Sequence, residues 1–401
     1  MSANSDTPAS DRQAIATAAA EALEQARATT HIADHPVLAG FDGFVDEIIH
    51  VVDRRHSMET MDFARIETIP AYAERIAKAA GKSANIELVN IETRFGGNGP
   101  LMAGAMAQLG APTTYIGAIG REDEHSALMP LFGSFAKRCE TIIPVAAPGH
   151  TDALEFHDGK LMLGKPQNVQ IITWEHLKTT VGLDALVKFA TDAALIANVN
   201  WTLSGGVPSI WRGMIDELLP ALPPHAQGKP RRVMIDLSDP AKRTDRDIAD
   251  ALALLAEMNT LAPVTLGLNL SESERINRVI DAGAFADDRP LAARVQDAAV
   301  RLQKATGLDT IVIHPREGAG AANAAGDAAW FTGPFTASPK LSTGAGDHFN
   351  GGFAFAQALG MPLDQSLAVG TAVSGAYVRD AESPTLDRLI PFLRDLPERD
   401  D

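Results

Sequence analysis

Seven short apolar runs, separated by helix-like stretches, constrain this 401-residue chain more than any other feature. They are VLAGF (37–41), IELVNI (86–91), TTYIGAI (113–119), ALIANVN (194–200), RVMIDL (232–237), VTLGLNL (264–270) and TIVIH (310–314). Segments such as GPLMAGAMAQLG (99–110) and DIADALALLAEM (247–258) lie between them and read as helices. A strand that is apolar on both faces needs cover on both faces. Near-continuous apolar strands alternating with helices therefore predict a mostly parallel sheet between two helical layers. The expected fold class is α/β.

Two stretches depart from that rhythm. GFVDEIIHVVDRRH (43–56) and HTDALEFHDGKLMLG (150–164) alternate apolar and polar residues, the second around an Asp158-Gly159 turn. Alternation of period two with such a turn predicts half-buried hairpin strands. They are expected to form a small β flap over the sheet edge, with ordinary surface hairpins as the alternative. Residues 1–11 are polar, and from Asp11 an Ala-rich segment predicts a helix. The Ala-Gly run 318–329 is the one low-complexity tract.

Charge and cysteine content narrow the function. Thirty-five Lys and Arg against 51 Asp and Glu leave a net charge of −16, which argues against nucleic acid or anionic lipid as the main partner. Cys139 is the single cysteine, so an internal disulfide or a cysteine-based zinc site is excluded. The opening lacks a basic-then-apolar leader, and no apolar run approaches the ~20 residues a membrane span needs. A cytoplasmic protein is expected, with neither nucleic acid nor membrane as partner.

Ligands of a doubly wound sheet bind beyond the carboxyl ends of its strands, and four clusters follow predicted strands. The richest is Ser342-Thr343-Gly344-Ala345-Gly346-Asp347, which runs into a helix. Bare glycine backbone at a helix N-terminus makes a hole for phosphate oxygens. An aspartate at its lip can take a proton from an attacking hydroxyl. A turn with an Asp cap is the plainer alternative. Next is Arg94-Phe95-Gly96-Gly97-Asn98-Gly99-Pro100, a glycine turn at a helix start that offers Asn98 to a polar ligand. Third, Asn269-Leu270-Ser271-Glu272 can orient a hydrated Mg²⁺, although a helix-capping interaction explains it equally well. Fourth, Asp42 and Asp46 follow the first strand, where carboxylates accept from vicinal hydroxyls. G-x-x-x-x-G-K-[ST], a complete G-x-G-x-x-G and H-E-x-x-H are all absent.

In this order the clusters resemble the ribokinase-like, or PfkB, family of carbohydrate kinases, over roughly residues 36–385. Gly96-Gly97-Asn98-Gly99 looks like the family's di-glycine signature, Asn269-x-x-Glu272 like its magnesium and phosphate motif, and Thr343-Gly344-Ala345-Gly346-Asp347 like its C-terminal signature. The resemblance implies a ribokinase-like three-layer α/β/α sandwich with a small β lid, made from segments near 43–56, 84–94 and 150–164. It implies a kinase domain over 36–395, preceded by a polar tail and helix (1–35) and followed by an acidic tail (396–401). By resemblance Asp347 is the general base, and Gly344, Ala345 and Gly346 form the anion hole. Asp42, Asp46, Gly96, Gly97, Asn98 and the lid residue Glu155 face the sugar. Asn269, Glu272, His314, Arg316, Gly318, Thr343 and Thr371 face the nucleotide. Glu272 also serves Mg²⁺ through water.

The implied reaction moves the γ-phosphate of ATP to a sugar hydroxyl, and the lid is the expected homodimer interface. A nucleoside kinase of the same fold, using Phe41, Phe44 and Trp201 as walls, and a non-catalytic sugar-binding regulator are the alternatives. A phosphorylated acceptor would need a basic patch, for which Arg94, Lys160 and Lys165 are the candidates. Many relatives carry an Asp three residues before the Gly-Ala-Gly-Asp that helps hold potassium. Here the stretch is Lys340-Leu341-Ser342-Thr343, without an acid, so weak or absent activation by monovalent cations is expected.

Overall fold

A computed structural model describes residues 9–29, 31–225, 228, 230–283 and 288–398. Its strands are β1 (Val37–Phe41), β2 (Phe44–Arg55), β3 (Phe63–Arg65), β4 (Leu88–Gly96), β5 (Thr113–Gly117), β6 (Thr141–Pro144), β7 (Gly149–Phe156), β8 (Gly159–Lys165), β9 (Leu195–Val199), β10 (Arg232–Asp236), β11 (Val264–Leu268), β12 (Thr310–Ile313), β13 (Gly318–Asn323) and β14 (Ala328–Thr332). Nine of them form one sheet in the order β14-β13-β12-β11-β10-β9-β1-β5-β6. Pairing is parallel from β12 through to β6, and the β13 and β14 hairpin adds an antiparallel edge.

Successive side chains of each central strand enter opposite cores, which is why these runs are apolar throughout. Val37 and Ala39 pack on one face with the helices Asn98–Gln108, Ala345–Ala358 and Leu363–Asp380, while Leu38 packs on the other. That second face is covered by the helices Asp245–Asn259, Leu270–Val279 and Leu291–Thr306 among others. The result is the three-layer sandwich expected.

The chain leaves the main sheet twice, after β1 and after β6, and both excursions build the lid. Strand β2 is its spine, antiparallel to β4 and to the short β3, and parallel to β7, which carries β8. Ile49, Val51, Ile66, Leu154 and Phe156 form a separate small core beneath it. All three predicted lid segments are present, and β3 joins them. The run at 86–91 thus belongs to the lid and not to the main sheet.

The N-terminal helix Ala9–Ala28, expected to precede the kinase domain, is built into it. Ala16, Ala19, Ala20 and Leu23 are fully buried in the same core as the central sheet. The Arg12 guanidinium donates to the carbonyls of Thr332 (2.8 Å) and Pro397 (2.8 Å), tying both chain ends together. Arg27 pairs with Asp387 at 2.6 Å. No helix among the described residues is long and apolar enough to cross a membrane. Because this helix seals a core face, Leu23→Ala should lower unfolding free energy by roughly 3 kcal/mol, from lost transfer energy and the cavity left behind. Urea denaturation of the two proteins measures it.

Candidate active site

Sheet order reverses at β1, between β5 and β9, so the loops after these strands diverge and leave a crevice at their carboxyl ends. Asp42, just past β1, anchors one wall. Its carboxylate accepts from the backbone N–H groups of Asn98 (3.1 Å) and Gly99 (2.7 Å) and from the Asn200 amide (2.6 Å). The Tyr115 hydroxyl donates to its carbonyl at 2.6 Å. Asp42 thereby caps the helix Asn98–Gln108, whose first N–H groups would otherwise lack partners. Expected on the sugar, Asp42 is 1% exposed, and protein donors engage both of its oxygens. Burial pushes its pKa up to about 6.

Gly97 turns the chain from β4 into this helix at φ 102°, a conformation other residues rarely adopt. A side chain there would also meet the Gly43 Cα at 3.0 Å. The Asp46 carboxylate packs directly over Gly96 and leaves no room for a Cβ. Desolvation raises the Asp46 pKa, while Thr151 and Arg94 favour its charged form.

The helix Ala345–Ala358 supplies the opposite wall. Gly344 sits at its start with φ 86°, and a Cβ would lie 2.9 Å from Leu101 Cδ1. The Tyr377 hydroxyl donates to the Thr343 carbonyl (2.8 Å), and the His348 ring bonds the Gly344 carbonyl through Nδ1 (2.8 Å). The two rings stack with centroids 3.5 Å apart. Desolvation depresses the His348 pKa to about 4, so the ring is neutral; Nδ1 carries the proton and Nε2 accepts from Ser383 at 2.7 Å. Within the turn, Ala345 N–H donates to the Ser342 carbonyl at 3.2 Å. Among the described residues, the N–H groups of Gly344, Gly346 and Asp347 have no backbone acceptor.

Two clefts meet at this turn. One, of about 710 Å³, lies under the lid and is lined by Asp46, Gly97, Asn98, Thr343, Gly344 and Asp347. The other, of about 390 Å³, lies on the outer side and includes Ser342, Ala345 and Gly346. One short loop thus faces both clefts. The Asp347 carboxylate accepts from Asn98 Nδ2 at 2.8 Å, joining the two walls. Burial first, then the charges of Asp236, Asp42 and Glu272, raise its pKa well above the usual carboxylate range.

The Asn269-x-x-Glu272 motif is a reciprocal helix cap. Asn269 Oδ1 accepts from Glu272 N–H (2.9 Å), and Glu272 accepts from the backbone N–H groups of Asn269 and Asp239, each at 2.8 Å. Glu272 is 7% exposed, and burial together with Asp236 lifts its pKa to about 8. Asp236, held by Ser238 N–H (2.7 Å) and Asn350 Nδ2 (2.6 Å), is raised to about 6 by burial. These hard oxygens repel one another, and a divalent cation would relieve that repulsion. No three acidic, histidine or cysteine side chains among the described residues form a direct metal cage. The carboxylates of Asp236 and Glu272, whose charges act on each other, are hard oxygen donors of the kind that hold a hydrated Mg²⁺ through its waters.

The outer cleft gathers the remaining nucleotide candidates. Asn269, His314, Arg316, Gly318 and Thr371 all line it, with Pro334 and Phe335 beside them. Thr371 turns its hydroxyl to the carbonyls of its own helix, at 2.9 Å from Leu367 O and 3.1 Å from Ala368 O, leaving the methyl for packing. Among the described residues His314 Nε2 is buried without a hydrogen-bond partner, and desolvation lowers the ring's pKa to about 4. Thr343 and Glu155 lie elsewhere than expected. Thr343 lines the lid cleft, and Glu155 pairs with Lys160 at 2.5 Å on the lid, outside that lining.

Sequence reasoning missed Asn200, whose amide braces Asp42 and whose backbone is αL (φ 63°), and the cleft residue Thr151; Lys242, which with Asp236 at a strand end reads as able to approach the phosphates, lines the lid cleft. The Asn after β9 was the available signal. It also missed the turn after β14, because the hairpin carrying it reads as an Ala-Gly tract.

A family model described as prokaryotic ketohexokinase matches residues 12–396. A ketohexokinase of Haloferax volcanii is 32% identical over 358 residues, spanning 89% of this chain and 90% of that protein. Among solved structures, a ribokinase from Thermotoga maritima aligns with a TM-score of 0.56 at 15% identity, covering 90% of this chain and 98% of that one. An adenosine kinase from Sinorhizobium meliloti gives 0.58 at 16% identity, covering 90% and 99%. At such identity these two structures speak to fold alone, whereas the chain-long match reaches further. The chain is a carbohydrate kinase that belongs to the prokaryotic ketohexokinase family.

Proposed function

We propose that the enzyme moves the γ-phosphoryl group of ATP to a hydroxyl of a ketohexose, with Asp347 as general base and the 344–346 loop as anion hole. The observation that carries this reading is the loop's double exposure: Ser342, Ala345 and Gly346 line the outer cleft, and Thr343, Gly344 and Asp347 the lid cleft. A donor in one cleft and an acceptor in the other meet at the N-terminus of a helix. Developing charge is best stabilised there, by N–H groups that have no competing acceptor. Because the Ala345 N–H is engaged in the turn, the Gly344 and Gly346 N–H groups carry this role, joined by that of Asp347.

Asn98 holds one Asp347 oxygen and favours the charged carboxylate, leaving the other oxygen to accept the hydroxyl proton. Asp46 and Asn98 orient the neighbouring hydroxyls, while Asp42 acts through them by fixing the start of their helix. The role of Asp42 is thus positioning, in place of the sugar contact expected for it. Mg²⁺, when bound, supplies charge to the phosphate oxygens, and Asn269, Asp236 and Glu272 would hold its water shell. Lys242, on the cleft wall and 3.7 Å from Asp239, adds a cation. Positioning and charge neutralisation supply the rate, since phosphoryl transfer asks little covalent chemistry of the protein.

The cleft favours a sugar over a nucleoside. Trp201 is 2% exposed beneath the Arg243 guanidinium, and of the three candidate ring walls only Phe44 lines the acceptor cleft. The ketohexose assignment draws on the names of the family and of the Haloferax relative. A second copy covering the lid would bury Leu88 and Ile91, which are 44% and 39% exposed on β4.

Two measurements test the mechanism. Asp347→Asn keeps the shape and removes the base. Its kcat should fall by several orders of magnitude while ATP binding, followed by calorimetry, stays within a few-fold; near-full turnover would refute the assignment. Initial rates in potassium and in a bulky organic cation should agree within about twofold, as expected from Leu341 standing where many relatives carry an acid. A many-fold rise with potassium would refute that.

A further inference from the structure

The N-terminal helix Ala9–Ala28 does more than seal a core face. Thr332 closes β14, and the chain then runs without regular structure to the helix Ala345–Ala358. Gly333, Pro334, Phe335 and Thr336, at the start of that stretch, form one wall of the outer cleft of about 390 Å³. Strand β14 is the edge of the main sheet and pairs with β13 alone among the described strands, so the sheet does little to fix where its end points. The carbonyls that follow lie outside any helix or ladder and need partners from elsewhere.

Two arginines provide them. Arg12 donates through Nε to the Thr332 carbonyl at 2.8 Å, and through its other nitrogens to the carbonyls of Leu396 (3.4 Å) and Pro397 (2.8 Å). Arg379, on the helix Leu363–Asp380, donates to the carbonyls of Pro334 (2.6 Å) and Phe335 (3.1 Å). Arg316, which also lines the cleft, holds its guanidinium 5.3 Å from the centre of the Phe335 ring. Arg12 is half-buried, and the Glu398 carboxylate favours its charge. A planar guanidinium fixes oxygens of two segments at once, which a single donor cannot do.

We propose that Arg12 is a positioning residue for nucleotide binding, through which the N-terminal helix holds the end of β14 and keeps the 333–336 wall shaped before the nucleotide arrives. This role rests on reading the outer cleft as the nucleotide site. A wall ordered beforehand need not be ordered by the ligand, so loss of the tie weakens nucleotide binding. The lid cleft takes no residue from 332–336, so acceptor binding is left as it was.

The test uses the full-length chain, calorimetry with an unreactive ATP analogue and with fructose, and steady-state rates. Arg12→Met keeps an apolar stem and removes every donor. The analogue should bind about fivefold or more weakly and KM for ATP should rise alike, while kcat and the fructose constants stay within about twofold. Unchanged analogue binding, or an equal loss for fructose, overturns the proposal. Arg12→Lys keeps the charge and loses the fork, and should weaken the analogue by about threefold. Should Arg12→Met fail to fold, wild-type affinity in Arg12→Lys overturns the role by itself. Leu23→Ala, in the same helix but lining no part of the cleft, should leave analogue binding unchanged. A loss there equal to that of Arg12→Met would make the effect one of helix stability and sink the positioning role. Phe335→Ala separates the two readings. If it weakens the analogue and the Arg12 variants do not, the role of Arg12 alone fails. If it leaves the analogue's affinity unchanged, the outer cleft is not the nucleotide site and the role falls with that reading.

Discussion

Acidic side chains crowd one end of the sheet, and their mutual repulsion is what the site is built around. Parallel pairing sends the loops after β1, β10 and β11 to the same edge, and with them Asp42, Asp236 and Glu272. Asp347 arrives from the helix Ala345–Ala358 and meets all three fields. Left unopposed in a dry crevice, such charges take up protons. Cations brought close to these carboxylates would ease that repulsion. The same field makes Asp347 a stronger base than an exposed carboxylate.

Geometry divides labour among these acids. Asp42 and Glu272 spend both oxygens on backbone N–H groups and fix the starts of two helices. Asp347 keeps one oxygen without a donor among the described residues and lines the cleft under the lid. The stacked His348 and Tyr377 rings hold the Gly344 and Thr343 carbonyls from behind, so the N–H groups of the turn point the other way. Glycine at 344 is then a double requirement, for its positive φ and for clearance beside Leu101.

Much of this was legible in one dimension. The core strands are apolar on both faces, so their runs stand out, and β1 spans the residues of its sequence run. The Gly-Gly-Asn and Gly-Ala-Gly-Asp clusters are local: each turn needs glycine for backbone reasons that neighbours in sequence impose. By contrast, β13 consists of small residues packed tightly against the helix Leu291–Thr306, so it carries no strand-like signal of its own. The N-terminal helix seemed separable because its Ala-rich face is a weak hydrophobic signal. Only the helices Leu363–Asp380 and Leu386–Arg394, more than 300 residues away, make that face a core.

Local chemistry, then, determined the layered α/β fold, the lid strands and the glycine turns at two helix starts, because periodicity and turn geometry depend on near neighbours. Tertiary structure alone decided which acid is free. In the sequence Asp42 and Asp46 are alike as candidates for hydroxyl contacts, and nothing local shows that Asp42 is fully engaged by protein donors. Donors brought from 57 and 158 positions away engage both oxygens of Asp42, whereas one brought from 249 positions away holds a single oxygen of Asp347. Tertiary structure also decided that Arg12 should meet the Thr332 carbonyl, 320 positions away. Contacts between distant segments are set by packing, and no short stretch of sequence encodes them.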